Sequence, residues 1–279
     1  MNRYLISAAG LAACYQNADT VVIDCRFALA DPALGEAQYQ AGHIPGSHYL
    51  HLDRDLSGEK DIHGGRHPLP DFKKFAAAMS AIGVDSVTST LVVAYDDSRF
   101  AFAARLWWLL RYCGYDKVKV LDGGYAAWCA AQQPISTILP KSKHGNFVAV
   151  PRESMLIARD AVREINQREQ AVLIDSREQR RYLGLEEPID PVAGHIEGAV
   201  NYPWQQVTHA NGEMLSHHDQ QQHWQKINTA NEIAVYCGSG VTACVNLLSL
   251  AQIGRDDAKL YAGSWSDWCS YPENFLNKN

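Results

Sequence analysis

The chain has 279 residues, 47% hydrophobic and 20% charged, ordinary values for a globular protein of one large or two average domains. A formal net charge of −6 and the lack of any basic run argue against nucleic acid as the main partner. No apolar stretch reaches the roughly 18 residues of a membrane span.

The first residues have the outline of a lipoprotein leader, with Met1-Asn2-Arg3 before Tyr4 to Ala13 and then Cys14. The apolar region is short and interrupted by Ser7 and Gly10, so Ser7 is read instead as the cap of a helix over Ala8 to Tyr15. A strand follows at Val21-Val22-Ile23, then the block Gly42-His43-Ile44-Pro45-Gly46-Ser47. Gly64-Gly65-Arg66-His67-Pro68 reads as an exposed turn within reach of a cleft, with no assignable role. Val92 to Ala94 is a strand ending at Asp96, and Leu121-Asp122-Gly123-Gly124 is a turn ahead of Trp128. The pattern breaks over Gln132 to Val150, where Pro134, Pro140 and Gly145 fall.

The same series then recurs in the same order. Val172-Leu173-Ile174-Asp175-Ser176-Arg177 answers Val21 to Arg26, and Gly194-His195-Ile196-Glu197-Gly198 answers the block at His43. Ile233 to Cys237 answers Val92 to Asp96, and Tyr261 to Ser264 with Trp268 answers the turn at Leu121. Four ordered matches make this a duplicated domain. Apolar runs alternating with helical periodicity give each copy an α/β fold, a parallel sheet with helices on both faces. The expected boundaries are 1–135 for the first domain, 136–150 for a linker and 151–279 for the second. Asp24–Arg26 and Asp175–Arg177 are read as a buried ion pair in each copy, and His209 to His223 as a polar surface loop.

Cys237 stands between the apolar run at Ile233 and an apolar helical pattern at Val245, Leu247, Leu248 and Leu250. A strand, a turn containing Gly238 and Gly240, and a helix point several N–H groups at one spot, at the positive end of a helix. A cysteine held there is predicted to be a nucleophilic thiolate, cradled by Gly238, Ser239, Gly240, Val241 and Thr242. The first copy has Asp96 at this place and bulky Arg99 and Phe100 in its loop, so it is expected to lack both thiol and cradle. The remaining cysteines show no C-x-x-C or paired spacing, which indicates neither disulfides nor zinc. No metal or other cofactor is expected, and the reduced cysteines suit a cytoplasmic protein.

Taken together, the paired Gly-His-Ile blocks, the Leu-Asp-Gly-Gly turn and the cysteine loop resemble the tandem rhodanese family of sulfurtransferases over nearly the whole chain. Cys237-Gly238-Ser239-Gly240-Val241-Thr242 is similar to the loop of the family's 3-mercaptopyruvate branch, because the thiosulfate branch carries basic residues there. The resemblance implies a Cys237 persulfide formed from a small-molecule donor and discharged to a thiol such as thioredoxin, a small thiol or cyanide. It matches Arg181 to an arginine that binds the donor's anionic group, and Ser239 and His43 to members of a Ser–His–Asp relay with Asp31 as the nearest acid. A second arginine expected nine residues after Arg181 is replaced by Asp190. The competing readings are a thiosulfate sulfurtransferase and a low-turnover persulfide carrier or redox sensor. A phosphatase is disfavoured, because Ala243 stands where such a loop needs an arginine.

Overall fold

The computed structural model describes residues 3–141 and 143–275; Met1 and Asn2 of the leader-like outline lie outside them. The chain forms two units, one of Met1–Gly58, Pro70–Arg152 and Thr208–Met214, the other of Glu59–Leu69, Glu153–Val207 and Leu215–Asn279. Two short segments therefore group with the opposite half of the sequence. Residues 59–69 belong to the second unit and Thr208–Met214 to the first.

The first unit is built on strands β1 (Leu5–Ile6), β2 (Thr20–Asp24), β3 (His48–Tyr49), β4 (Leu91–Tyr95) and β5 (Val118–Leu121), in the order β1-β5-β4-β2-β3. Every pairing is parallel. Ser7 caps its first helix, Ala8–Ala12, by accepting from the Gly10 N–H. That helix is shorter than its sequence pattern. Leu11, Val22, Ile44, Val93, Tyr95, Leu121 and Trp128 form the core of this unit. The segment expected as a linker lies along it. Ser136 bridges to His43, Phe147 N–H donates to Ser80 Oγ, and Val150 N–H donates to the Cys113 carbonyl.

The second unit repeats the plan with β6 (Ala171–Asp175), β7 (Val200–Asn201), β8 (Glu232–Tyr236) and β9 (Lys259–Leu260), in the order β7-β6-β8-β9, again all parallel. The place of β1 is taken by a single bridge between Leu156 and Leu260. Both sheets put their middle strand's end beside the loop of interest, where ligands gather in parallel α/β sheets. The stretch expected as a surface loop contains a helix, His217–Trp224, capped by Ser216 and anchored by buried Trp224, whose indole N–H donates to Ser249 Oγ. With one large apolar side chain in eight residues it has almost no hydrophobic periodicity, so its pattern reads as loop.

Each unit has its own buried ion pair of the same design. Arg26 binds Asp24 at 2.6 Å and the Gly42 carbonyl at 2.7 Å. Arg177 binds Asp175 and the Gly194 carbonyl, each at 2.6 Å. All four side chains are buried, and the paired charges hold the Gly-His-Ile block against the end of β2 or β6.

Candidate active site

Cys237 follows directly on β8 and is 1% exposed. Its backbone N–H donates to Ser264 Oγ at 3.1 Å, and its carbonyl accepts from Trp265 N–H at 3.0 Å. The turn after β9 thus clamps the cysteine from both sides. Gly240 sits at φ +76°, and a β-carbon there would lie 2.2 Å from the Ala262 carbonyl oxygen. Only glycine permits both the conformation and the approach. Gly238, Ser239, Gly240, Val241 and Thr242 form one loop leading into the helix Ala243–Gln252. The N–H groups of Gly238, Ser239, Val241 and Thr242 donate to no protein oxygen among the described residues. They remain available to an anion.

The loop at Asp96 also passes through the left-handed region, and it corrects one expectation. Arg99 and Phe100 do not prevent a cradle, because they adopt left-handed φ of +57° and +72°, at roughly 1–2 kcal/mol each for non-glycine residues. The cradle is filled from within. One Asp96 carboxylate oxygen accepts from the N–H groups of Ser98 (2.9 Å) and Phe100 (3.1 Å), the other from Phe102 (2.9 Å) and Ala103 (2.8 Å). The first unit carries a built-in anion where the second carries a thiol.

A strap formed by residues 59–69 brings two side chains to the cysteine loop. Gly64 N–H donates to Asp267 Oδ1 at 2.7 Å, Arg66 N–H to Ser266 Oγ at 3.1 Å, and His63 stacks on Tyr271 at 4.0 Å. Gly65, at φ +80°, passes so close to Gly263 that a β-carbon would come within 2.4 Å of its carbonyl oxygen. This places His67 Nδ1 2.8 Å from Ser239 Oγ, with both residues buried. The Arg66 guanidinium reaches Asp190. What reads in sequence as an exposed turn is therefore part of the site. The signal for it was a histidine and an arginine behind two glycines, but nothing local says where such a strap docks.

His43 has a different place from the one expected. Its Nδ1 lies 2.7 Å from the Tyr39 carbonyl oxygen and its Nε2 3.1 Å from that of Ile138, and the ring stacks on Tyr39. His195 repeats this in the second unit, with Nδ1 2.7 Å from the Tyr182 carbonyl oxygen and its ring stacked on Tyr182. Both histidines fasten their own loop to the preceding helix. Asp31 is exposed and accepts from Ala33 N–H, closing a turn. The Ser239 partner is His67.

The Arg181 guanidinium lies beside Gly238. Its Nη2 binds Glu187 at 2.7 Å and Asp190 at 3.1 Å. Glu187 also holds Arg177 at 3.1 Å. Burial pushes the Glu187 carboxyl up, but the Arg181 guanidinium and the N–H groups of Asp190 and Ile189 outweigh it and hold the group below its ordinary range. In Asp190 burial wins instead, raising the carboxyl against the pull of Arg66 and Arg181.

The rhodanese-like domain model matches residues 7–131 and 158–271. The chain belongs to the rhodanese family. Among rhodaneses it is 42% identical to a probable 3-mercaptopyruvate sulfurtransferase of Pseudomonas aeruginosa, over 96% of this chain and 95% of that one. It is 37% identical to a putative thiosulfate sulfurtransferase, SseB, of Mycobacterium tuberculosis, over 96% and 94%. The fold superposes on SseA from Escherichia coli, a 3-mercaptopyruvate sulfotransferase, with a TM-score of 0.82 at 30% identity, covering 94% of this chain and 99% of that one. Sulfur transfer is the activity of this rhodanese. No helix among the described residues is long and apolar enough to cross a membrane.

Proposed function

We propose that this rhodanese takes sulfur from 3-mercaptopyruvate, holds it as a Cys237 persulfide and passes it to a thiol such as thioredoxin or a small thiol, or to cyanide. The Cys237 thiolate attacks the donor's thiol sulfur. The carbon–sulfur bond breaks, its electron pair goes to the methylene carbon, and the enolate of pyruvate leaves. That enolate takes up one proton and departs as pyruvate, while the transferred sulfur stays on Cys237. In the second half-reaction the acceptor thiolate attacks the outer sulfur, and the S–S electron pair returns to Cys237.

The observation that carries this donor is the contact between His67 Nδ1 and Ser239 Oγ, two residues from the nucleophile. An enolate leaving group needs a proton, and a hydroxyl backed by an imidazole supplies one. Sulfite, the leaving group from thiosulfate, needs none. The open N–H groups of the loop and the Arg181 guanidinium suit the donor's carboxylate and the charge that develops beside it. All seven cysteines are unpaired, in keeping with the reducing cytoplasm, which we infer as the compartment.

A thiosulfate donor is the second reading, because guanidinium groups near the loop also suit a sulfur oxyanion. The test is kcat/KM for the two donors with one thiol acceptor. A value for 3-mercaptopyruvate at least about tenfold higher, roughly 1.4 kcal/mol, supports the proposal. A preference for thiosulfate replaces it. Negligible turnover of both, with a stable persulfide on Cys237, leaves a sulfur carrier.

A further inference from the structure

The second arginine that the 3-mercaptopyruvate branch is expected to carry is missing from position 190, and its replacement is not a random acidic residue. Asp190 is 8% exposed. It gives one carboxylate oxygen to Arg66 Nη1 and the other to Arg181 Nη2. Two guanidinium groups from distant parts of the sequence are thereby fixed side by side on one anchor.

Each keeps an edge turned to the cysteine loop. A β-carbon on Gly238 would lie 3.0 Å from Arg66 Nη2 and 3.5 Å from both Nη1 and Nη2 of Arg181. Arg66 Nη2 and Arg181 Nη1 have no hydrogen-bond partner among the described residues. Partly buried guanidinium N–H groups aimed at one spot, with their opposite edges neutralised by a carboxylate, make a preorganised site for a planar anion. Gly238 is the residue directly after Cys237, so an anion held there lies on the loop that carries the thiol. The missing side chain at Gly238 leaves that space open.

We infer that Arg66 is a donor-binding residue, the second cation of the carboxylate site, supplied by the strap in place of an arginine at position 190 and held in position by Asp190. The α-keto acid carboxylate would bridge Arg66 Nη2 and Arg181 Nη1. This rests on the proposed donor for its substrate, but the cation itself is testable without that donor.

The test compares alkylation of Cys237 by anionic iodoacetate and neutral iodoacetamide, followed by peptide mass on the full chain. An effect on the thiol alone changes both rates together, whereas loss of a cation changes their ratio. In Arg66→Ala the iodoacetate-to-iodoacetamide ratio should fall about fivefold or more, with Arg66→Lys intermediate because a point charge remains but the fork is lost. KM for 3-mercaptopyruvate should rise about tenfold, with a much smaller change in kcat. If Arg66→Ala lowers the thermal midpoint enough to lose folded protein, Arg66→Lys and Arg66→Gln carry the comparison. An unchanged ratio in folded variants overturns the inference. A reduced ratio in a protein whose wild type prefers thiosulfate keeps Arg66 as an anion ligand and overturns only the donor.

Discussion

His67 Nδ1 and Ser239 Oγ are 2.8 Å apart although 172 residues separate them in the chain. The strap that carries His67 is fixed by Asp267 and Ser266, so the imidazole is placed by backbone contacts rather than by its own bond to the serine. If the pair protonates the pyruvate enolate, His67→Ala should lower kcat with 3-mercaptopyruvate by about 10²-fold. The same variant should lose far less with thiosulfate. Equal losses with both donors would assign His67 to shaping the loop.

Cys237→Ser should abolish transfer from both donors, because a serine hydroxyl stays protonated at neutral pH and cannot store sulfur as a persulfide. Mass spectrometry after donor treatment should find no 32-Da adduct (about the mass of one sulfur) on the variant. Turnover at the wild-type rate would remove Cys237 from the mechanism.

Arg181→Ala removes a guanidinium edge that faces Gly238. The lost charge-assisted bond, worth about 1.5–3 kcal/mol, should raise KM for an anionic donor by roughly tenfold or more. Initial rates over a range of donor concentrations check this, and an unchanged KM would leave Arg181 a structural partner of Glu187 and Asp190.

Glu187 joins Arg177 and Arg181 and is held below its ordinary carboxylate range despite its burial. A folded-state pKa below the unfolded one contributes stability that is complete above the unfolded value, near 4.5 for a glutamate. That contribution is lost as pH falls through the lower folded value. Glu187→Gln should therefore destabilise the protein by about 2–4 kcal/mol at pH 7. The gap to wild type should close as pH drops below the ordinary carboxylate range. Urea denaturation at several pH values measures it, and a gap that does not narrow in acid contradicts the assignment.

Asp96 receives N–H groups from Ser98, Phe100, Phe102 and Ala103. Asp96→Ala leaves these buried donors without their acceptor and should cost roughly 2–4 kcal/mol. Denaturation should show the loss while KM for the donor stays near wild type. A cost below about 0.5 kcal/mol, the usual range for an uninvolved position, would mean the carboxylate is not what holds the loop.

By itself the sequence determined the duplication and the parallel α/β plan and singled out Cys237, because each is a local matter. Strand periodicity, the glycines flanking Ser239 and the contrast between Asp96 and Cys237 all lie within a few residues of what they specify. The buried pairs Asp24–Arg26 and Asp175–Arg177 were legible for the same reason, at a spacing of two residues. The helix His217–Trp224 was not, since a single buried Trp224 in a polar segment leaves no period to read. Tertiary structure alone decided which histidine meets Ser239. The chain pointed to His43 and left His67 without a role, and the choice follows from one being consumed by the Tyr39 and Ile138 carbonyls while the other rides on a strap docked through Gly65. It also decided the meaning of Asp190. A carboxylate where a cation was expected looks like a loss until Arg66 is found on its other oxygen, because charge pairing between distant segments depends on distance in space, which the order of residues does not record.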